Sequence, residues 1–194
     1  MYDRAIGAAD MTSSMHDFSL RYLAPYRSAL QKYIREYDLE EAWVFGLMRQ
    51  ESRFASSAKS GAGAAGLMQI MPETGRWLAK RLGLKGYRHT LVHQLDTNLR
   101  LGTYYLKIIL SQFDGDHVLA LAAYNAGPRR ATGWRGSQPL EGAIYAETIP
   151  FDETRDYVKK VMSNTVYYAW QFNASRRSLK ERMGVVAAKT ADAQ

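Results

Sequence analysis

Cysteine is absent from all 194 residues. That removes a disulfide scaffold, a thiolate nucleophile and a cysteine-based zinc site together. No run of 18 apolar residues occurs anywhere, so no segment qualifies as a bilayer-spanning helix. Residues 1–10 (MYDRAIGAAD) lack the continuous apolar core of a secretory leader. Either the chain is cytoplasmic, or it is a mature form or fragment whose targeting segment lies elsewhere. Alternating apolar and polar runs are also missing, as is any internal repeat, which argues against a sheet and against a solenoid.

What is present is ordinary for a globular domain: 46% apolar and 23% charged residues. A chain of this length buries roughly 70% of its unfolded surface and needs no covalent or metal staple. The net charge of +7 suits a polyanionic partner such as nucleic acid, acidic lipid or cell-wall polymer without choosing among them. The basic residues are spread along the chain, with short clusters only at Arg129-Arg130, Lys159-Lys160 and Arg176-Arg177. A solvated basic surface is the simpler account, and no nucleic-acid motif is found.

Helical spacing dominates. A helix is expected from Pro25, in its first turn, through Leu30, Tyr33 and Ile34 to about Tyr37. A second starts near Glu40-Glu41, carries Trp43, Val44, Leu47 and Met48 on one stripe, and ends between Glu51 and Arg53. A small-residue loop over 55–66 comes next, then a short helix after Pro72 through Thr74, Trp77, Leu78 and Leu82. Residues 86–92 read as irregular. Leu95, Leu99, Gly102, Leu106, Ile109 and Phe113 form the longest amphipathic stripe, with a turn at Asp114-Gly115-Asp116 behind it. Further helices are expected from Asp116 to Tyr124, over 129–134, and through Val158, Val161, Thr165, Tyr168 and Phe172. The basic, then alanine-rich tail from about Ser175 is expected to fray. The class is all-α.

Several constellations offer chemistry. Gly61, Gly63 and Gly66 spell G-x-G-x-x-G, but a polar stretch precedes them, Pro72 interrupts the segment after them, and no carboxylate lies near Gly86. A dinucleotide site needs a buried strand, a helix and that acid, so a close-packed loop fits better. His89 and His93 have metalloprotease spacing, yet Thr90 stands where the base glutamate belongs. Ser52 has no histidine in a triad-like arrangement.

Glu51 is different. It comes after Leu47 and Trp43 at i+4 and i+8, which carries it onto the apolar stripe at the helix C-terminus. Burial and the negative end of the helix dipole both raise its pKa, as a general acid at neutral pH requires. An ion pair with Arg49 or Arg53 accounts for the same position equally well. Tyr124 and Asn125, in the AAYNAG segment, mark a pocket wall or a helix cap.

Taken in order, the blocks GLMRQESRF (46–54), SGAGAAGLMQIMP (60–72), NLRLGTYY (98–105), ALAAYNAGP (120–128) and ETIPFDETRDY (147–157) resemble the catalytic domain of the soluble lytic transglycosylases, lysozyme-like enzymes that cleave peptidoglycan. The segment RYLAPYR (21–27) is similar to the stretch preceding that domain in longer members. The resemblance implies a lysozyme-like α-helical fold, with residues 1–36 a lead-in containing a helix, 37–173 the catalytic domain and 174–194 the tail. It implies Glu51 as sole catalytic acid and base. Ser60, Gln69 and Met71 line sugar subsites; Tyr124 and Asn125 lie over the carboxyl, the tyrosine hydroxyl able to bond it; Glu147 lies in the cleft on substrate. It implies no metal and no cofactor, glycan strands of peptidoglycan as partner, a monomer and a periplasmic location. Longer members carry a leader and a superhelical domain, so this chain is expected to be a fragment or a separately made catalytic domain.

The implied reaction is non-hydrolytic. Glu51 protonates the glycosidic oxygen, the substrate acetamido group replaces a second carboxylate, and the muramyl 6-hydroxyl closes a 1,6-anhydro ring. The alternatives are a goose-type lysozyme-like hydrolase of the same bond and a non-catalytic peptidoglycan-binding domain. The second is disfavoured because an ionisable group on an apolar stripe costs stability unless it is used or paired.

Overall fold

The structure is a computed structural model that describes residues 1–189. In chain order it has α1 (Tyr2–Asp10), α2 (Phe18–Arg21), α3 (Arg27–Tyr37), α4 (Glu41–Ser52), α5 (Pro72–Arg81), a 3₁₀ turn (His89–His93), α6 (Leu95–Gln112), α7 (His117–Ala126), α8 (Pro128–Gly133), β1 (Leu140–Glu141), α9 (Gly142–Thr148), α10 (Asp152–Gln171), α11 (Leu179–Met183) and β2 (Val185–Val186). The all-α class holds. Strand structure among the described residues is confined to one antiparallel ladder, Leu140 opposite Val186 and Glu141 opposite Val185, and two lone bridges, Lys59–Ala65 and Ala65–Ile70.

Helix α4 is the central strut. Every residue from Ala42 to Met48 is buried, so the helix is apolar on all sides rather than on one stripe, as befits a helix enclosed by others. Its most extensive partner is α10. Gly46 makes that approach possible: a Cβ there would lie 2.7 Å from Thr165 Oγ1 and 3.0 Å from the Val161 carbonyl oxygen. Thr165 donates its hydroxyl proton back to the Val161 carbonyl (2.8 Å), and Asn164 donates from Nδ2 to the Gly46 carbonyl (3.3 Å). The polar groups inside this contact are therefore paired, as buried polar groups must be.

Two local expectations are corrected, and one helix is added. The helix after Pro25 begins only at Arg27, because Tyr26 takes a left-handed conformation (φ 63°) at its N-cap. Residues 2–10 form a helix, which their sparse apolar pattern did not announce. The tail does not fray from Ser175. Ser178 and Glu181 form a capping box that starts α11, Met183 is buried, and Arg182 reaches both carboxylate oxygens of Glu40 at 2.7 and 3.0 Å. β2 then pairs with β1. The last five residues of the tail, 190–194, lie outside the described residues.

Candidate active site

The site is built where α4 ends. Glu51 and Ser52 are its last two residues, and the chain then leaves through two successive left-handed residues, Arg53 (φ 47°) and Phe54 (φ 64°). Such backbone costs on the order of 1 kcal/mol or more per residue. Phe54 is held there by burial against the Phe45 ring, 5.8 Å away. The Ser52 hydroxyl ties the helix end down: it donates to the Leu67 carbonyl (2.8 Å) and accepts the Phe54 N–H (3.1 Å).

The loop from 55 to 71 is thereby docked on the helix terminus, and Asn98 of α6 locks its far side. This buried amide donates to the Val92 (2.8 Å) and Ala65 (3.2 Å) carbonyls and accepts the Met68 N–H (2.9 Å). Gly66 lets it approach. At φ +80° a side chain would be strained, and its Cβ would lie 2.1 Å from Asn98 Nδ2. The G-x-G-x-x-G string is thus a packed loop.

Glu51 is half-buried and lacks any cation at ion-pair distance among the described residues. The two arginines expected to compete for it are both taken by Asp10 at the end of α1: Arg49 at 2.8 Å and Arg53 at 3.5 Å. Among the described residues its side-chain hydrogen-bond partner is Tyr157 of α10, whose hydroxyl donates to Oε1 at 2.6 Å. Burial pushes the carboxyl up to about 8; the Tyr157 bond opposes that rise, and the nearby Glu153 carboxylate adds to it. Burial also holds Tyr157 and Tyr124 well above the usual phenol range, so both hydroxyls keep their protons. With Oε1 occupied by the Tyr157 donor, Oε2 is the oxygen left to carry the Glu51 proton.

The structure distributes the expected site residues unevenly. Tyr124 stands beside Glu51, near enough for the carboxylate charge to raise its pKa. Its hydroxyl, however, donates to the Met68 carbonyl (2.8 Å) and not to the acid. The expected phenol–carboxyl bond comes from Tyr157 instead. Asn125 accepts the Thr154 hydroxyl proton (2.6 Å) and donates toward Glu153 (3.4 Å), joining α7 to the first turn of α10.

Gln69, itself left-handed (φ 43°), turns its amide into the loop, donating to the Gly66 (2.8 Å) and Ala58 (3.3 Å) carbonyls. Ser60 is exposed at the loop tip, where its Oγ accepts the Ala64 N–H at 3.0 Å. Met71 is exposed at the N-cap of α5. Glu147 faces α10, the helix that carries Glu153 and Tyr157. It ends up exposed on α9, 2.9 Å from Lys159 and 3.9 Å from Arg155. The carboxylate beside Glu51 is Glu153, from the same sequence block. Glu153 and Tyr157 are four residues apart on one helix face, a spacing that could have singled them out.

Comparison with known proteins places the chain among its relatives. The family model of the transglycosylase SLT domain matches residues 28–144, and that of the soluble lytic transglycosylase helical domain matches residues 148–176. The soluble lytic murein transglycosylase of Salmonella typhimurium is 37% identical over 151 residues, which are 76% of this chain and 23% of that protein. Its Escherichia coli counterpart is 35% identical over 153 residues, 77% of this chain and 24% of that protein. The chain therefore spans about a quarter of the length of the curated relatives it matches.

Among solved structures, an inactive mutant of the lytic transglycosylase Slt from Pseudomonas aeruginosa superposes with a TM-score of 0.85. It is 40% identical, over 89% of this chain and 28% of that one. The 70-kDa soluble lytic transglycosylase of Escherichia coli gives 0.82 at 29% identity, over 94% and 29% of the respective chains. Matched by the family model over more than half its length, the chain belongs to the transglycosylase SLT domain family.

Proposed function

We propose that the Glu51 cleft cleaves the β-1,4 bond between N-acetylmuramic acid and N-acetylglucosamine in peptidoglycan without water, leaving 1,6-anhydromuramyl ends. The observation that carries this is a carboxyl with no cation at ion-pair distance among the described residues, pushed up to about 8, and held at one oxygen by Tyr157. At neutral pH it is mostly protonated, so it can deliver the proton the glycosidic oxygen needs. Positioned proton transfer of this kind contributes about 10²–10⁴-fold.

Once ionised, the same Oε2 takes the proton of the muramyl 6-hydroxyl as that oxygen attacks the anomeric carbon. The substrate acetamido carbonyl stabilises the sugar cation in between. Attack from within one sugar gains from proximity. Tyr124, packed against the acid, and Met71 give the cleft apolar surface that keeps water from the anomeric carbon. Gln69, Ser60, Asn125 and Met71 take the substrate contacts. The strand lies outside the cytoplasmic membrane, so the site of action is the periplasm, and the unit works as a monomer. No helix among the described residues is long and apolar enough to cross a membrane.

A second reading keeps the acid and changes the nucleophile. Glu153 is close enough to raise the pKa of Glu51, and as a base it would direct a water onto the anomeric carbon, as in goose-type lysozymes. Product masses separate the two. Sacculi digested with the wild type should release muropeptides one water lighter than lysozyme products, and Glu51→Gln should release none above background. Hydrated ends alone assign the site to the second reading. Undiminished release by Glu51→Gln overturns both.

A further inference from the structure

Around the other end of α4 a polar cavity of about 310 Å³ opens where the tail meets the α6–α7 turn. The turn contributes Asp114, Asp116 and His117 to its wall; the segment after α8 and the tail contribute Arg135, Arg182 and Gly184. That volume lies at the lower end of small-ligand sites, roughly 300–1,000 Å³. Arg182 is placed there by the capping box that starts α11 and by the pairing of β2 with β1. It binds Glu40, the N-cap of α4, and Glu51 lies eleven residues along the same helix, about 16 Å away. The cavity is therefore separate from the Glu51 cleft.

Arg182 is the anomaly in this wall. Its side chain is only 5% exposed. Nη1 is taken by both Glu40 oxygens, while Nε and Nη2 are buried and have no hydrogen-bond partner among the described residues. Those two nitrogens form one edge of the guanidinium plane, whose parallel N–H bonds match the two oxygens of a carboxylate. Native proteins pair nearly all buried donors, so a whole free edge marks a place for an acceptor. Arg135 donates from Nε and Nη2 to the Ala187 and Ala188 carbonyls and forms no ion pair among the described residues. Asp116 accepts the Leu119 N–H on Oδ1 at 2.9 Å, and Asp114 is exposed; neither meets a cation at ion-pair distance among the described residues. Burial holds the His117 imidazole below its usual range, so it brings no charge at neutral pH.

We propose that this cavity binds a free α-amino acid as its zwitterion, the carboxylate side-on against Arg182 Nε and Nη2 and the ammonium group at Asp116 and Asp114. The wall offers both charges that such a molecule needs. A carboxylate alone meets two aspartates as well as its arginine, and an amine alone meets two arginines; only a ligand carrying both groups gains at each. The bound molecule bridges the tail to the α6–α7 turn and so strengthens the docking of α11 and β2. None of this depends on which bond the Glu51 cleft cleaves.

The test titrates the full wild-type chain with alanine, acetate, methylammonium and inorganic phosphate, following backbone amide resonances by NMR. Alanine should saturate the Gly115 and Gly184 amides, leave the Glu51 amide unmoved, and bind about tenfold or more tighter than each of the other three. Asp116→Asn keeps an oxygen to cap α7 but removes the charge, so alanine should weaken to the level of acetate while acetate itself does not weaken. Arg182→Lys keeps the charge opposite Glu40 but loses the paired N–H edge, and should weaken alanine about tenfold. Alanine that does not saturate these amides overturns the proposal, as does acetate, methylammonium or phosphate binding as tightly. Equal losses of alanine and acetate in Asp116→Asn overturn the role of that carboxylate. The four-ligand comparison on wild type decides the matter even where a variant fails to fold.

Discussion

The two ends of α4 are built to opposite rules. From Ala42 to Met48 the helix is wholly buried and packed on α10 so closely that Gly46 has room for no side chain. Roughly one turn further along, the same helix ends in a carboxyl without a cation, two left-handed residues and a loop that must be tied down amide by amide. The first end has the features of stability and none of chemistry; the second inverts that. A buried acid and strained backbone persist only where surrounding structure over-determines them. Here the α4–α10 contact, Ser52 and Asn98 supply that surplus. Asp10 pairs with both neighbouring arginines, Arg49 and Arg53.

The largest effect should come from erasing the difference between the ends. Glu51→Gln is expected to lower muropeptide release by about 10²–10⁴-fold. It should also stabilise the protein at alkaline pH. The folded pKa of about 8 lies above the ordinary 4.5, so the native state holds this proton more tightly than the unfolded chain. The resulting stability is complete below about pH 4.5 and lost as pH rises through 8, on the order of 5 kcal/mol. The amide carries no such loss. Thermal melts at pH 5 and pH 9 check it: the variant should gain on the wild type only at the higher pH. A gap that does not change with pH would mean the carboxyl is not held protonated.

Asn98→Ala comes next, because it weakens the functional end without touching the acid. It removes two hydrogen bonds to the loop and one to Val92, and leaves the Met68 N–H, buried, without its partner. The expected destabilisation is about 2–4 kcal/mol in denaturant melts, with release from sacculi falling as well. Gly46→Ala works on the opposite end. Crowding Thr165 and the Val161 carbonyl should cost about 1–3 kcal/mol, yet kcat/KM measured on the folded fraction should stay near wild type. If it falls as far as in Asn98→Ala, the two ends are not separable.

The stable end was largely legible in the sequence. Spacings of three and four residues mark α6 and α10, because burial of one face imposes that period; Trp43, Val44, Leu47 and Met48 marked α4 only as one stripe of a helix that is enclosed on all sides. The functional end was legible only in part. Glu51 stood out because an acid on an apolar stripe is a local anomaly. Which phenol reaches it was not legible, since Tyr124 and Tyr157 both sit in motif blocks and only the crossing of α7 and α10 over the α4 terminus decides. The same holds for Glu147 and Glu153, six residues apart but on different helices. Asp10 was hidden for a different reason: α1 has few buried side chains, so its contribution is electrostatic and leaves no periodic trace. The tail, by contrast, did carry a signal, since Ser178 and Glu181 have capping-box spacing.

The finest distinction lies within the functional end, between the two α10 residues that act on Glu51 with opposite sign. Release from sacculi requires the protonated acid, so activity should fall above a limb near pH 8. The Tyr157 hydroxyl favours the charged form of Glu51, and the Glu153 carboxylate disfavours it. Tyr157→Phe removes the donor and should move the limb up by about one pH unit. Glu153→Gln removes a like charge that is exposed and screened by solvent, so its shift should be downward and smaller. A merely structural role for either side chain would lower the plateau and leave the limb where it was. Shifts of opposite direction in the two pH profiles therefore assign both residues to the proton on Glu51, and shifts in the same direction would break that assignment.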